Sequence, residues 1–385
     1  YADTYSFGIA QALPSHTVME VSYVGSASRN QLLNGSSKLF NLNPVAYGAF
    51  FKPNPITGVL NNPNPIDGST DIKTNMQDYR PLHNYQQINQ YQHGGYANYN
   101  SLQISGQKQS GNLFLFSNFT FGKVLGTRDG SIANGNGNGN LVDPFGLANN
   151  YGSLGYDHTK VFNLSFTYKL PKPIHSNWAL GQVVNGWELS SYSTYQDGAP
   201  YQSNVDRNMR ASYAWDDKNP QPDIVMPSGQ TTRSINPSTW FGTDEYPALL
   251  PVVTCDPRKH LMKNQYFNPN CFAAPLPPTA TTFGQQGQWV WPYIRTPHYF
   301  NSDLAVFKAF RVNDSQHFEV RISATNWLNH PNASFNINGN NDNRLDFTGY
   351  STAEKMVYNH NKDTTGIPAA KQGYRWIQFA GKYYF

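Results

Sequence analysis

The stretch "KVFNLSFTYKLP", residues 160 to 171, alternates without a fault: Phe162, Leu164, Phe166 and Tyr168 fall on one side of an extended chain, and Asn163, Ser165, Thr167 and Lys169 on the other. Successive side chains of a strand point to opposite faces, so this is a strand with one apolar and one polar face. About ten residues is also the length of a β-strand that crosses a membrane. The same beat closes the chain. Around "FAGKYYF" (379–385), Ile377, Phe379, Gly381, Tyr383 and Phe385 share one face, against Gln378, Ala380, Lys382 and Tyr384. A terminal aromatic gains little in a soluble domain, but at the rim of a membrane barrel it joins the interfacial girdle.

The alternation recurs along the chain. "HFEVRISATNW" sets Phe318, Val320, Ile322 and Ala324 against Glu319, Arg321, Ser323 and Thr325, and "TVMEVSYVG" sets Met19, Val21 and Tyr23 against Glu20 and Ser22. "TYSFGIAQAL" supplies Phe7, Ile9 and Leu13. Weaker patterns run over 99–109, 112–124, 186–196 and 300–311; in the last, Lys308 shares the face of Leu304 and Val306, and its ammonium is expected to snorkel outward. The reading predicts about nine long strands, with Phe162, Leu164, Phe166, Phe318, Val320, Ile322, Ile377 and Phe379 toward lipid. Asn163, Ser165, Glu319, Arg321 and Gln378 are placed toward the lumen.

The connections separate into two kinds. Short ones lie around Pro14, at Ser110 and Gly111, and at "VNDS" (312–315), with a modest one at 171–185; long ones cover about 28–98, 125–159, 197–299 and 328–373. Long structureless inserts argue against a compact soluble domain. Strict alternation of short and long connections is the arrangement of an outer-membrane barrel, with short periplasmic turns and long extracellular loops. The expected fold class is all-β, an antiparallel transmembrane β-barrel portion. Counting strands back from the last one leaves residues 4–13 and 374–385 as the two edges of an incomplete sheet.

Composition agrees. Of 385 residues, 38% are hydrophobic, 15% aromatic and only 14% charged, against about 25% charged in soluble domains; disordered chains have the reverse balance. No apolar run is long enough for a transmembrane helix. The start "YADTYSFGIAQ" carries no signal peptide, so a mature or cut start is expected. A net charge of +4 with no basic block excludes nucleic acid as a partner.

The search for chemistry returns little. No nucleophile elbow, phosphate loop, zinc-protease motif or dinucleotide fingerprint is present, so no catalytic residue, metal or cofactor is assigned and no enzyme is expected. Asp216, Asp217 and Asp223 read as loop carboxylates, Asn340, Asp342 and Asp346 only faintly echo a calcium loop, and His360 stands alone. Cys255 and Cys271 lack metal-ligand spacing and are read as a disulfide of an oxidising compartment, with two free thiols as the alternative. In "GQWVWPYIRTPHYF" (287–300), Trp289, Trp291 and Tyr293 would share a face if extended. They would form either a platform for a sugar or apolar ligand or, more plainly, part of an interfacial belt.

Several of these stretches carry a family likeness. "EVSYVGS" (20–26), "NYNSLQ" (98–103), "VFNLSFTYKLP" (161–171), "NGWELSSYSTYQDGAPY" (185–201), "YFNSDLAVFKAF" (299–310), "NWLNHPNASF" (326–335) and the terminal "FAGKYYF" occur in an order that resembles the C-terminal barrel portion of Oar-like TonB-dependent outer-membrane receptors. The resemblance implies a larger barrel of 22 strands plugged by an N-terminal domain and energised through a TonB-contacting segment, none of which this sequence supplies. It implies a bacterial outer-membrane receptor or transporter barrel that takes up or binds an extracellular ligand. Its partners would be outer-membrane lipid, an unknown extracellular ligand and, through the missing N-terminal segments only, TonB. The alternative is a structural or adhesive outer-membrane β-barrel protein whose loops bind a partner. A secreted carbohydrate-binding sandwich is disfavoured by the charges of Glu319 and Arg321 on one strand face.

Overall fold

The computed structural model describes residues 1–33, 41–60, 76–90, 92–127, 143–202, 224–225, 227–229, 231–232, 240–246, 251–273, 278–285, 287, 290–313, 316–335, 347–351, 356–359 and 365–385. Nine strands form one antiparallel meander in chain order: β1 Ala2–Leu13, β2 Thr17–Leu33, β3 Gln92–Ser110, β4 Leu113–Thr127, β5 Lys160–Lys169, β6 Trp187–Gln196, β7 Tyr299–Arg311, β8 His317–Thr325 and β9 Trp376–Tyr384. A tenth, three-residue strand, Tyr151–Ser153, pairs with the far end of β4. β1 and β9 are the two edges of the sheet, and no pairing joins them among the described residues.

The register carries the alternation from strand to strand. One face runs Ile9–Val21–Ile104–Phe119–Phe162–Tyr195–Phe300 and, lower down, Leu189–Val306–Ile322–Phe379. The other runs Asn118–Asn163–Thr194 and Glu188–Phe307–Arg321–Ala380. Because a one-residue slip would invert a strand, this continuity means every turn holds register. Most of the apolar face lies uncovered: Phe7 is 71% and Phe379 73% exposed. The largest fully buried side chains, Trp240, Phe50, Phe241, Phe267 and Phe272, all lie in the inserts. The sheet therefore has its apolar surface outside and its polar surface inside, the inverse of a soluble protein and the arrangement that lipid demands.

Some boundaries differ from the sequence reading. β2 and β3 extend to Leu33 and Gln92, shortening the first insert to 34–91, and β4 runs on to Thr127. The extension passes two register shifts near Ser28 and Gln31, where the small residues Gly25, Ser26, Ala27 and Ser28 give no apolar-polar contrast to read. The connection 170–186 is not a plain turn: it holds α1, Trp178–Val184, with Asn177 as N-cap accepting from the Leu180 N–H at 3.1 Å. Lys308 is not turned outward to solvent. It is 4% exposed, and its ammonium donates to the carbonyls of Asn185 and Ala309 beside α1, the nearest acceptors on an otherwise apolar face.

Candidate functional site

At the long-loop end, the first three inserts fold together into a cap with a core of its own. Val45, Phe50 and Tyr79 are packed from the first insert, and Trp240 and Phe241 are buried in the third. The backbones interlock: Gly48 N–H donates to Phe241 O at 2.8 Å and Phe50 N–H to Gly242 O at 2.9 Å. Gly242 is required there. Its φ is +62°, and a Cβ would stand 2.7 Å from the Cα of Gly48.

Arg80 is the electrostatic centre of the cap. Its guanidinium donates to Glu245 Oε1 at 2.9 Å, Asp244 Oδ2 at 2.7 Å, the Asn43 carbonyl at 2.6 Å and Gln77 Oε1 at 3.0 Å. Glu245 Oε1 also accepts from Asn41 Nδ2 at 3.0 Å and Val45 N–H at 3.2 Å. Asn43 donates to the carbonyls of Leu82, Tyr85 and Gln86, closing the 82–86 segment onto the same centre. A planar five-donor guanidinium suits this convergence of two carboxylates and a carbonyl.

Above the core lies an aromatic surface drawn from three inserts. The rings of Tyr47 and Phe283 meet edge to face at 4.9 Å, Tyr47 and Tyr246 at 6.1 Å and Phe145 and Tyr246 at 6.0 Å, while Phe241 and Tyr246 lie tilted at 4.2 Å. Tyr47, Phe145 and Phe283 remain exposed. Asp143 borders the cluster, its carboxylate accepting from Phe145 N–H at 2.8 Å and Asn149 Nδ2 at 2.8 Å. Burial first, and the Asp143 charge second, push the Tyr246 phenol well above its ordinary value, and Tyr47 is raised by the same two causes. The arrangement offers stacking faces beside one carboxylate.

A second clamp ties the third insert to the rim of the sheet. Arg295 donates to Asp157 Oδ2 at 2.9 Å, to the carbonyls of Asp157 and Gly198 at 2.7 and 3.2 Å, and to Thr159 Oγ1 at 2.5 Å. Asp157 is fully buried, and its other oxygen accepts from Val124 N–H of β4 at 2.9 Å. Further along the rim, "NWLNHPNASF" takes over where β8 leaves β7: Asn332 exchanges hydrogen bonds with the backbone of Phe300 at 2.7 and 2.9 Å, and Trp327 Nε1 donates to Ser302 Oγ at 2.9 Å.

Cys255 and Cys271 form a disulfide with Cα atoms 4.8 Å apart. It closes a lobe in which Phe267 and Phe272 are buried and which is joined to the fourth insert through Gln265 Nε2 to Thr365 O at 2.8 Å. Of the aromatic triad, Trp289 lies outside the described residues, and Trp291 is placed by its backbone in the strand Val290–Arg295, which pairs with Pro200–Gln202. Tyr293 is exposed, with the Arg258 guanidinium 5.7 Å from its ring centre. Ile377, Phe379 and Tyr383 share the outer face of β9, and Phe385 stacks on Tyr383 at 6.4 Å. Asp216, Asp217, Asp223, Asn340, Asp342, Asp346 and His360 lie outside the described residues. Arg80, Asp157, Glu245 and Arg295 escape a reading of the sequence: they are charges in polar loops that no local pattern singles out, and the pairs are 165 and 138 positions apart.

An outward apolar face, a polar inner face and long inserts gathered at one end define an outer-membrane β-barrel. Residues 1–356 match the model of the outer membrane beta barrel domain family, and the chain belongs to that family. It is an outer-membrane protein. Among solved structures, the crystal structure of the outer membrane transporter YddB from Escherichia coli is similar, with a TM-score of 0.37 and 8% identity, over 100% of this chain and 32% of that one. The chain thus spans about a third of the length of that transporter. The sequence matches no curated protein.

Proposed function

We propose that the chain forms part of the barrel of a TonB-dependent, Oar-like receptor that takes up or binds an extracellular ligand, and that it has no enzymatic activity. The observation that carries this reading is the cap: three inserts from one end of the sheet share a buried core and present Tyr47, Phe145 and Phe283 beside Asp143. In this reading the cap is extracellular and the short turns are periplasmic. The ligand has a flat or ring-shaped apolar face, as a sugar or aromatic group does, with hydrogen-bond donors for the carboxylate. The edges β1 and β9 carry backbone groups that cost several kcal/mol each if left unpaired in lipid. They are completed by further strands of the same receptor, and TonB acts through segments beyond this sheet.

The test is comparative depletion. Cells with the gene, cells without it and cells lacking TonB are given one mixture of small molecules, and the medium is followed by mass spectrometry. The receptor reading expects a compound removed only when gene and TonB are both present, with removal reduced at least tenfold by Tyr47→Ala combined with Phe283→Ala. Surface binding that ignores TonB would instead establish the adhesive alternative.

A further inference from the structure

We propose that the recess between α1 and the outer faces of β6, β7 and β8 binds one anionic membrane phospholipid, with its phosphate at the Lys308 ammonium and an acyl chain along the apolar wall. The recess holds about 270 Å³ and is lined by Val183 of α1, by Trp187, Val306, Lys308 and Phe310, and by Ile322. Except for Val183, these residues belong to the outward face of the sheet, continuous with the surface that meets lipid.

Lys308 is the reason the occupant is charged. Its Nζ donates to two neutral carbonyls and sits 4.8 Å from the ring centre of Phe310 and 5.5 Å from that of Trp187. An ammonium has three donors, and no third partner is found among the described residues. None of the described salt bridges involves Lys308. The carboxylates nearest in register, Glu188 and Glu319, stand opposite Phe307 and Ala309 on the inner face. Buried charges need a counter-charge, and carbonyls and aromatic rings leave the full positive charge in place. A lipid phosphate supplies the anion, and its acyl chain supplies the apolar cover that free phosphate lacks.

α1 fixes the depth. None of its residues is buried, and Trp178, Leu180, Val183 and Val184 are all exposed. A short helix with uncovered apolar side chains and a leading tryptophan lies in the membrane interface, at headgroup level. It roofs the recess from the short-turn end, which places Lys308 where phosphates lie. In the orientation proposed above, this is the periplasmic leaflet, the one clause of the inference that rests on that reading.

The experiment uses the whole receptor that contains this chain, in nanodiscs of phosphatidylcholine doped with phosphatidylglycerol, released and weighed by native mass spectrometry. One phosphatidylglycerol retained per chain is expected. Lys308→Met should lower its enrichment over phosphatidylcholine about tenfold, Lys308→Arg should preserve it, and Val306→Trp, which fills the recess with the charge intact, should lose the bound lipid. Equal retention of both lipids by wild type and variants overturns the proposal, as does displacement by inorganic phosphate. Should Lys308→Met fail to assemble, Val306→Trp alone decides. Labelling of a cysteine placed at Asn313 from outside intact cells would overturn the orientation while leaving the lipid readout unaffected.

Discussion

The guanidinium of Arg295 stands 2.9 Å from the buried carboxylate of Asp157, across 138 positions of sequence, and joins the third insert to the rim of the sheet at three acceptors, Asp157 Oδ2, Asp157 O and Thr159 Oγ1. Removing one partner of a buried pair strands the other charge, at about 3–5 kcal/mol. Arg295 keeps some solvent contact, which moves the expectation to the lower end. Arg295→Met should therefore loosen 290–298 by about 3 kcal/mol, read as faster hydrogen exchange there and at Val124 N–H, while the strand content by circular dichroism stays constant.

Arg80 tests the cap itself. Arg80→Met leaves the buried Glu245 and the half-buried Asp244 beside each other without their cation, and the cap should open, exposing Trp240 to a quencher. Glu245→Gln should be milder, because an amide oxygen still accepts from Arg80, Asn41 and Val45 and Asp244 remains as the counter-ion. Equal effects of the two substitutions would show that the charge of Arg80 is not what holds the inserts together.

Alkali should act through Tyr246. Its phenol titrates near 10 when unfolded and well above that in the cap, because burial and Asp143 disfavour the phenolate. Between those values the folded state binds the extra proton, so stability falls as pH rises beyond about 10. Tryptophan fluorescence of the cap should show a melting midpoint that drops above pH 10 in wild type, and drops less in Tyr246→Phe. Tyr47, raised by the same causes, accounts for part of the remainder.

The disulfide spans 16 positions, and a loop of that size is stabilised by about 3 kcal/mol when closed. Cys255→Ala with Cys271→Ala should make the 254–272 lobe sensitive to protease while the sheet remains resistant.

What the sequence discloses follows the range of the forces. Phe162 against Asn163 is legible because each strand residue meets lipid or water directly, and two-residue periodicity records that contact locally. The continuation of β2 beyond Gly25 is not, because Ser26, Ala27 and Ser28 are tolerated on either face. α1 is hidden by its length of seven residues and by Pro171 and Pro173 just before it. The cap is hidden for a different reason: the carboxylate partners of Arg80 come from another insert, and no local pattern marks a glycine such as Gly242 as the place where two loops cross. The aromatic surface consequently forms around Tyr47, Phe145, Tyr246 and Phe283, residues from three inserts, rather than from neighbours along one segment.

Neighbouring residues in the middle of β5 give the sharpest test of the membrane face. Leu164 pairs with Ser117 and Ser193 on the outward face, and Ser165 with Phe116 and Tyr192 on the inward one. Both are strand residues at the same depth, so a lysine at either site meets the same backbone and differs only in which solvent it enters. A lysine facing lipid near the bilayer midplane costs about 2–4 kcal/mol, whereas lumen positions tolerate charge. Leu164→Lys should reduce the fraction assembled in the outer membrane about thirtyfold or more, measured as the heat-modifiable species on unboiled gels. Ser165→Lys should assemble within about twofold of wild type. The inverse result would mean that the polar face meets lipid, and equal loss would mean that neither face lines a water-filled lumen.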